Sequence, residues 1–162
     1  MAKKEKLSLE ELLEQAIVKD EEKPYEVPGN WVWTRLGGIL KEIKNGTTMA
    51  QNKDKVGLLV TRIESIQNNK IDFDRLGYIA DVDNIKESDF YIDGNIALSH
   101  INSVEHVGKT AIITSNMLPM VHGMNLLRLT FNNACNPYYF QYISQSFDYK
   151  QRPCQGACTK CP

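Results

Sequence analysis

The stretch YEVPGNWVWTRLGGI, Tyr25 to Ile39, sets two tryptophans on either side of Val32, straight after a Pro28-Gly29 turn and just ahead of Leu36-Gly37-Gly38. Pro-Gly and Gly-Gly pairs punctuate a chain, and aromatic side chains bury more area than any other type. The stretch therefore predicts the start of a globular domain, with Trp31 to Leu36 as a short strand whose tryptophans enter the core.

Upstream, Ser8 and Glu11 have capping-box spacing, and Leu9, Leu12, Leu13, Ala16 and Ile17 recur at helical intervals. An amphipathic helix over Ser8 to Lys19 follows. An isolated helix of that size is marginal in water, so it should pack on something. The acidic segment ending at Pro24 reads as a linker, which divides the chain into residues 1–24 and a domain over 25–162.

Downstream, Leu36, Ile39, Leu40 and Ile43 share the spacing of one helical face, and Asn45-Gly46 would end that helix. Val56 to Glu64 is an apolar, β-branched run and the clearest strand. Further strands are expected over Leu76 to Ala80, Ile96 to Ile101, Lys109 to Thr114 and Asn125 to Phe131, with a helical turn in the acidic stretch Val82 to Asp89. Asn136 with Pro137 after it predicts a capped helix carrying Tyr139, Phe140, Tyr142, Ile143 and Phe147. Strands outnumber helices and many connections are too short for crossovers. The expected fold class is α+β, a mixed, largely antiparallel twisted sheet with flanking helices.

A chain of 162 residues, 42% hydrophobic and 24% charged, holds one domain with a real core. No apolar run approaches the roughly 20 residues of a membrane span, and the start has no signal-peptide core, so a cytoplasmic protein without membrane partners is expected. The net charge of -1 conceals a segregation. Residues 1–30 hold 5 basic and 8 acidic side chains and residues 72–93 hold 2 and 7, leaving 12 basic and 5 acidic elsewhere. A local basic face can exist despite the near-neutral total.

Several landmarks then coincide in order: VPGNWVWTRLGGI, the Asn45-Gly46-Thr47-Thr48 turn, the strand with Arg62-Ile63, Asp93-Gly94-Asn95-Ile96 running into LSHINS, Val107-Gly108-Lys109, and Asn136-Pro137-Tyr138-Tyr139. Over roughly Tyr25 to Lys160 the chain resembles a target recognition domain of a type I restriction-modification specificity subunit. That resemblance implies a noncatalytic, cofactor-free reader of double-stranded DNA. It would direct a methyltransferase subunit, and through it a restriction subunit, to one half of a bipartite site. Such subunits usually carry two recognition domains, each followed by a long spacer helix. This chain has one domain and reaches Pro162 just after a Gly-centred loop, Gln155 to Thr159, so a truncated chain or a homodimer of half-subunits is expected.

The polar chemistry is compatible. Base edges are read by amides, hydroxyls and cations, while phosphate contacts position the protein. One loop offers Thr48, Gln51 and Lys53, a second offers Gln67, Asn68, Asn69 and Lys70, and His100 alternates with Leu98 in a later strand and so is expected to point away from the core beside Asn102. Arg62 and Lys109 are the basic supports, Lys109 being the best phosphate candidate. The plainer alternatives are ordinary surface loops, a structural histidine, and pairing of Arg62 or Arg128 with an acid such as Glu64.

Three rival functions fit parts of the sequence. Asn136-Pro137-Tyr138-Tyr139 resembles the Asn-Pro-Pro-Tyr motif of amino-methyltransferases, but no Gly-rich loop or βαβ alternation accompanies it. Cys154, Cys158 and Cys161 have the spacing of a radical S-adenosylmethionine cluster, though at the wrong end of the chain and without the usual aromatic residue. Zinc recruiting Cys135 would lack the usual paired spacing, and free thiols are expected instead. The third rival is a protein-interaction module with an acidic N-terminus.

Overall fold

The computed structural model describes residues 7–52, 54–101 and 105–146. Lys53, Asn102, the Gln155 to Thr159 loop and Cys154, Cys158 and Cys161 lie outside the described residues.

The N-terminal helix α1 (Leu9–Ala16) carries the expected capping box: Glu11 N–H donates to Ser8 Oγ and Ser8 N–H to the Glu11 carboxylate. It packs on the four-residue helix α2 (Leu36–Ile39), and the backbone between them is stitched by Val18 N–H to Trp33 O and Arg35 N–H to Ala16 O, both 2.8 Å. The tryptophan segment corrects the reading above. Only Thr34 makes a β-bridge, to Ile17, and Trp31 is 52% exposed. Trp33 instead stands edge-on to Tyr25 with centroids 4.9 Å apart and donates its indole N–H to the Tyr25 carbonyl. The aromatic residues clamp an entry loop; they do not build the core.

The helix expected through Ile43 is also shorter than its spacing suggests. Gly37 and Gly38 have poor helix propensity, and from Leu40 the chain joins a sheet as strand β1 (Leu40–Asn45). Strands β2 (Leu58–Thr61), β5 (Gly77–Ile79), β6 (Ile96–Ser99), β7 (Thr110–Ile112) and β9 (Leu126–Phe131) fall inside the runs anticipated for them. The polar loop after β2 folds into a two-residue hairpin, β3 (Ile66–Gln67) and β4 (Lys70–Ile71). Strand β8 (Met120–His122) has no counterpart in the sequence reading. Helix α3 (Pro137–Ile143) starts as expected, with Asn136 Oδ1 accepting from Tyr138 N–H and Pro137 in the first turn.

The strands form an antiparallel sheet in the order β1-β9-β6-β7, a three-stranded sheet β5-β2-β8 with one parallel pair, and the β3-β4 hairpin. This is the mixed, antiparallel-dominated α+β architecture anticipated. Alternation along the four-stranded sheet sorts its side chains. Ile96 and Leu129 pack with Phe140 of α3 on one face, whereas Ala97, Ala111 and Leu126 join Ile63, Ile66, Ile71 and Met120 on the other. Each fully buried Ile, Leu or Met side chain among them contributes about 1.5–3 kcal/mol.

Between the two sheets lies a polar junction. Arg128 of β9 donates to the carbonyls of Ser88 (3.0 Å) and Phe90 (2.6 Å) and pairs with Glu42 of β1. Lys44 pairs with the buried Asp89 carboxylate at 3.1 Å, and His122 Nδ1 donates to the Asp89 carbonyl at 2.8 Å. Tyr91 OH and Thr61 Oγ1 lie 2.9 Å apart. Most buried polar groups in proteins are partnered, and here the partners tie β1, β8 and β9 to the 88–91 segment, while Arg128 Nε has no hydrogen-bond partner among the described residues.

Candidate nucleic-acid interface

Strand register decides where the polar loops emerge. Asn45 pairs with Leu127, Ser99 with Leu126, and Leu98 with Thr110, so the end of β1, the start of β9, the end of β6 and the start of β7 line one edge of the four-stranded sheet. The three-stranded sheet is tied to the same edge: Thr61 pairs with His122, and Leu126 N–H donates to the Gly123 carbonyl. The loops that leave these ends carry the described candidates.

At this edge lies an open cleft of about 350 Å³, lined by Met49, Gln51, Thr61, Arg62, Ile63, Glu64, Gly123, Met124, Asn125 and Leu126. Gly123 lines it, and Gly77 lies beneath the side chains of Gln51 and Arg62 that line it. A methyl group on Gly77 would come within 2.6 Å of Gln51 Oε1 and 3.2 Å of Arg62 Cδ, and one on Gly123 within 3.3 Å of Gln51 Nε2. The Gln51 amide thus lies close over both glycines, and at Gly123 the Thr61 carbonyl, 2.6 Å from an added methyl, leaves no room for a side chain. Arg62 rises from a 3-10 turn, Ile63–Ser65, whose buried Ser65 hydroxyl donates to the Arg62 carbonyl (2.6 Å) and accepts from its N–H (3.0 Å). Its guanidinium pairs with Glu64 at 3.1 Å.

The hairpin candidates sit beside this cleft. Asn68 and Asn69 both adopt left-handed backbone (φ 49° and 61°), as a two-residue hairpin turn demands and as asparagine tolerates better than most residues. Gln67 donates its amide to the Glu64 carbonyl (2.9 Å), and Gln141 of α3 donates to the Asn69 carbonyl (3.1 Å), which fixes the hairpin against the domain. Thr48, Asn68 and Lys70 are exposed. Lys109 Nζ donates to His106 Nδ1 at 3.2 Å. His100 is half-buried, its ring Nδ1 lacks a partner among the described residues, and burial pushes its pKa down, so it enters neutral pH uncharged.

The geometry therefore gathers Gln51 and Arg62 in the cleft, links them to the hairpin through Glu64, and leaves His100 and Lys109 further along the same edge. The sequence reading missed Asn125, Met124, Gly123 and the nearby Gly77, and it treated Glu64 only as a counter-ion. No local signal marks any of them, because the cleft exists only through pairing of distant strands. Among the described residues no group of three or more His, Cys, Asp or Glu could hold a metal ion, and the half-buried Cys135 thiol is pushed up in pKa by burial. No described helix is long and apolar enough to cross a membrane.

The fold is that of specificity subunits. The crystal structure of the HsdS subunit from Thermoanaerobacter tengcongensis superposes with a TM-score of 0.51 over 88% of this chain and 36% of that one, at 16% identity. A chain from a structure on complex assembly and conformational transition of the type I R-M system gives 0.57 over 87% and 32%, also at 16% identity. In sequence, the chain is 46% identical over 130 residues to a Methanocaldococcus jannaschii protein assigned as the specificity subunit of type I restriction enzyme MjaX. It is 30% identical over 105 residues to the EcoAI specificity subunit of Escherichia coli. The chain is a homologue of type I restriction enzyme specificity subunits, the noncatalytic components of those enzymes. It spans 30% and 18% of the length of these two relatives, a portion the size of one recognition domain. No protein-family model matches it.

Proposed function

We propose that this chain is a DNA-reading module that selects one half of a bipartite site for a methyltransferase subunit and, through it, a restriction subunit. The observation that carries this reading is the collection of amides, hydroxyls and cations along one edge of the two sheets, in a homologue of specificity subunits. Gln51 and Arg62 in the cleft, and Gln67, Asn68, Asn69 and Lys70 on the hairpin, face base edges in this reading. Thr48, His100 and Lys109, with Lys53 and Asn102, complete the contact surface, the lysines on phosphates.

The hairpin supplies the test. Replacing Asn68 and Asn69 with alanine would strain the left-handed turn, so the informative variant is Gln67→Ala with Asn68→Gly and Asn69→Gly, which removes the side chains and keeps the backbone. Wild-type affinity for duplex DNA is expected to fall linearly with salt on logarithmic axes, by about 0.9 in slope per phosphate neutralised. The variant should keep that slope and lose discrimination between sequences. Absence of both affinity and salt slope in the wild type would overturn the reading.

A second reading is favoured by one surface. Trp31 lies 6.2 Å from Tyr139, and Tyr138 and Tyr142 on α3 are 53% and 75% exposed. Exposed aromatic clusters mark protein contacts, and a protein-interaction module would bind through this face with no response to duplex DNA.

A further inference from the structure

We infer that the cleft is built to read a G·C base pair, with Arg62 addressing the guanine and Glu64 the cytosine. This rests on the DNA-reading function above and goes beyond it by naming the base pair and by turning Glu64 from a counter-ion into a reading residue.

In the major groove a guanine edge presents two acceptors, N7 and O6, and its cytosine partner presents one donor, the N4 amino group. No other base pair places two acceptors beside a donor in that order. A matching protein surface needs a two-pronged donor next to an acceptor, held at fixed spacing. Arg62 and Glu64 supply that pair: Arg62 Nη1 lies 3.1 Å from Glu64 Oε1, and both side chains line the open cleft. Among the described residues only that one carboxylate oxygen has a partner, and Glu64 keeps half of its side-chain surface open to solvent. The guanidinium retains N–H groups beyond the one turned to Glu64.

The pair is also held in place from below. Both ends of the Ile63–Ser65 turn are locked by the buried Ser65 hydroxyl, and the Arg62 stem crosses the space that Gly77 leaves open. A reading group gains most when its stem is fixed before the nucleic acid arrives. A solvated surface ion pair has no need of such support, since exposed pairs contribute little to stability.

Selection of bound duplexes from a pool with a randomised central segment, carried out at low salt with the intact chain, tests the assignment. Wild-type protein is expected to enrich duplexes sharing an invariant G·C pair. Substituting that pair should weaken binding by about tenfold to a hundredfold. Arg62→Ala should abolish the preference at that position alone. Glu64→Gln, whose amide can pair with adenine, should relax or redirect it, and unfolding midpoints of both variants confirm that they fold. A fixed bound sequence whose G·C content is untouched by either variant would overturn this assignment and leave the DNA-reading function standing. Failure of the wild type to retain any duplex would overturn both.

Discussion

Arg62 and Arg128 belong to the same residue type and sit in similar apolar, strand-forming runs, yet the structure puts them to opposite uses. The Arg128 side chain is 8% exposed and donates to two backbone carbonyls as well as to Glu42. The Arg62 side chain is 30% exposed and has one partner, itself half open to solvent. The buried junction and the open cleft nearly touch, since Thr61 lines the cleft while its hydroxyl meets Tyr91 in the junction. The difference teaches that burial against several fixed acceptors separates a structural cation from one held ready for a ligand, even though the buried Arg128 Nε has no hydrogen-bond partner among the described residues. Breaking the junction should have the largest effect: Arg128→Ala strands the carbonyls of Ser88 and Phe90 and removes the partner of Glu42. Glu42, with 48% of its side chain exposed, is resolvated, but each buried carbonyl left without its donor costs about 1–3 kcal/mol, which urea unfolding would register as a lower midpoint. A loss below about 1 kcal/mol would make the two arginines equivalent and end the contrast.

The junction should also give the molecule a pH response. Burial, with the Arg128 charge nearby, pushes the His122 pKa below its ordinary value despite the opposing bond to the Asp89 carbonyl. In the unfolded chain His122 titrates near 6.5, so below that pH the unfolded state binds a proton that the folded state refuses. Stability is therefore full above about pH 6.5 and declines as pH falls toward the depressed native value, by at most about 1.4 kcal/mol per unit for each such histidine. His100, also depressed by burial, adds to the same slope. His122→Asn keeps a donor for the Asp89 carbonyl and removes the titration. Chemical unfolding at pH 7.5 and 5.5 should show a smaller difference for this variant than for the wild type, and an equal difference would locate the response elsewhere.

This contrast also marks how far the sequence could be read. Elements with strong local patterns were legible: the Ser8–Glu11 capping box, the β-branched run around β2, and Asn136-Pro137 at the head of α3 all specify their own backbone. The sequence misled where distant partners decide. Leu36, Ile39, Leu40 and Ile43 fit a helix, but β1 is drawn into the sheet by β9, more than 80 residues away. Strand β8 has only three residues and owes its existence to parallel pairing with β2. Trp31 reads as core on hydrophobicity alone, yet it remains half exposed beside Tyr139. The candidate site followed the same division. Polar loops announce themselves by composition, but which loops share an edge depends on sheet register, and Gly77 and Gly123 matter only through what distant pairing brings against them, Gln51 and Arg62 over the first and the Thr61 carbonyl over the second.

The smallest effect is the counterpart to the first. Arg62→Ala removes one solvated ion pair and a stem lying over Gly77, while the turn below it is held by Ser65 through backbone atoms that the substitution leaves in place. Exposed ion pairs contribute about 0–1 kcal/mol, so the unfolding midpoint should move little. Added salt should shrink even that difference, because it shortens the Debye length and Glu64, half open to solvent, is accessible to screening ions. Comparing wild type and variant by urea unfolding at 50 mM and 500 mM salt measures both points. A loss above about 2 kcal/mol, or one that salt leaves unchanged, would mean that Arg62 braces the fold as Arg128 does, and a residue needed to hold the cleft together is poorly placed to be spent on a ligand.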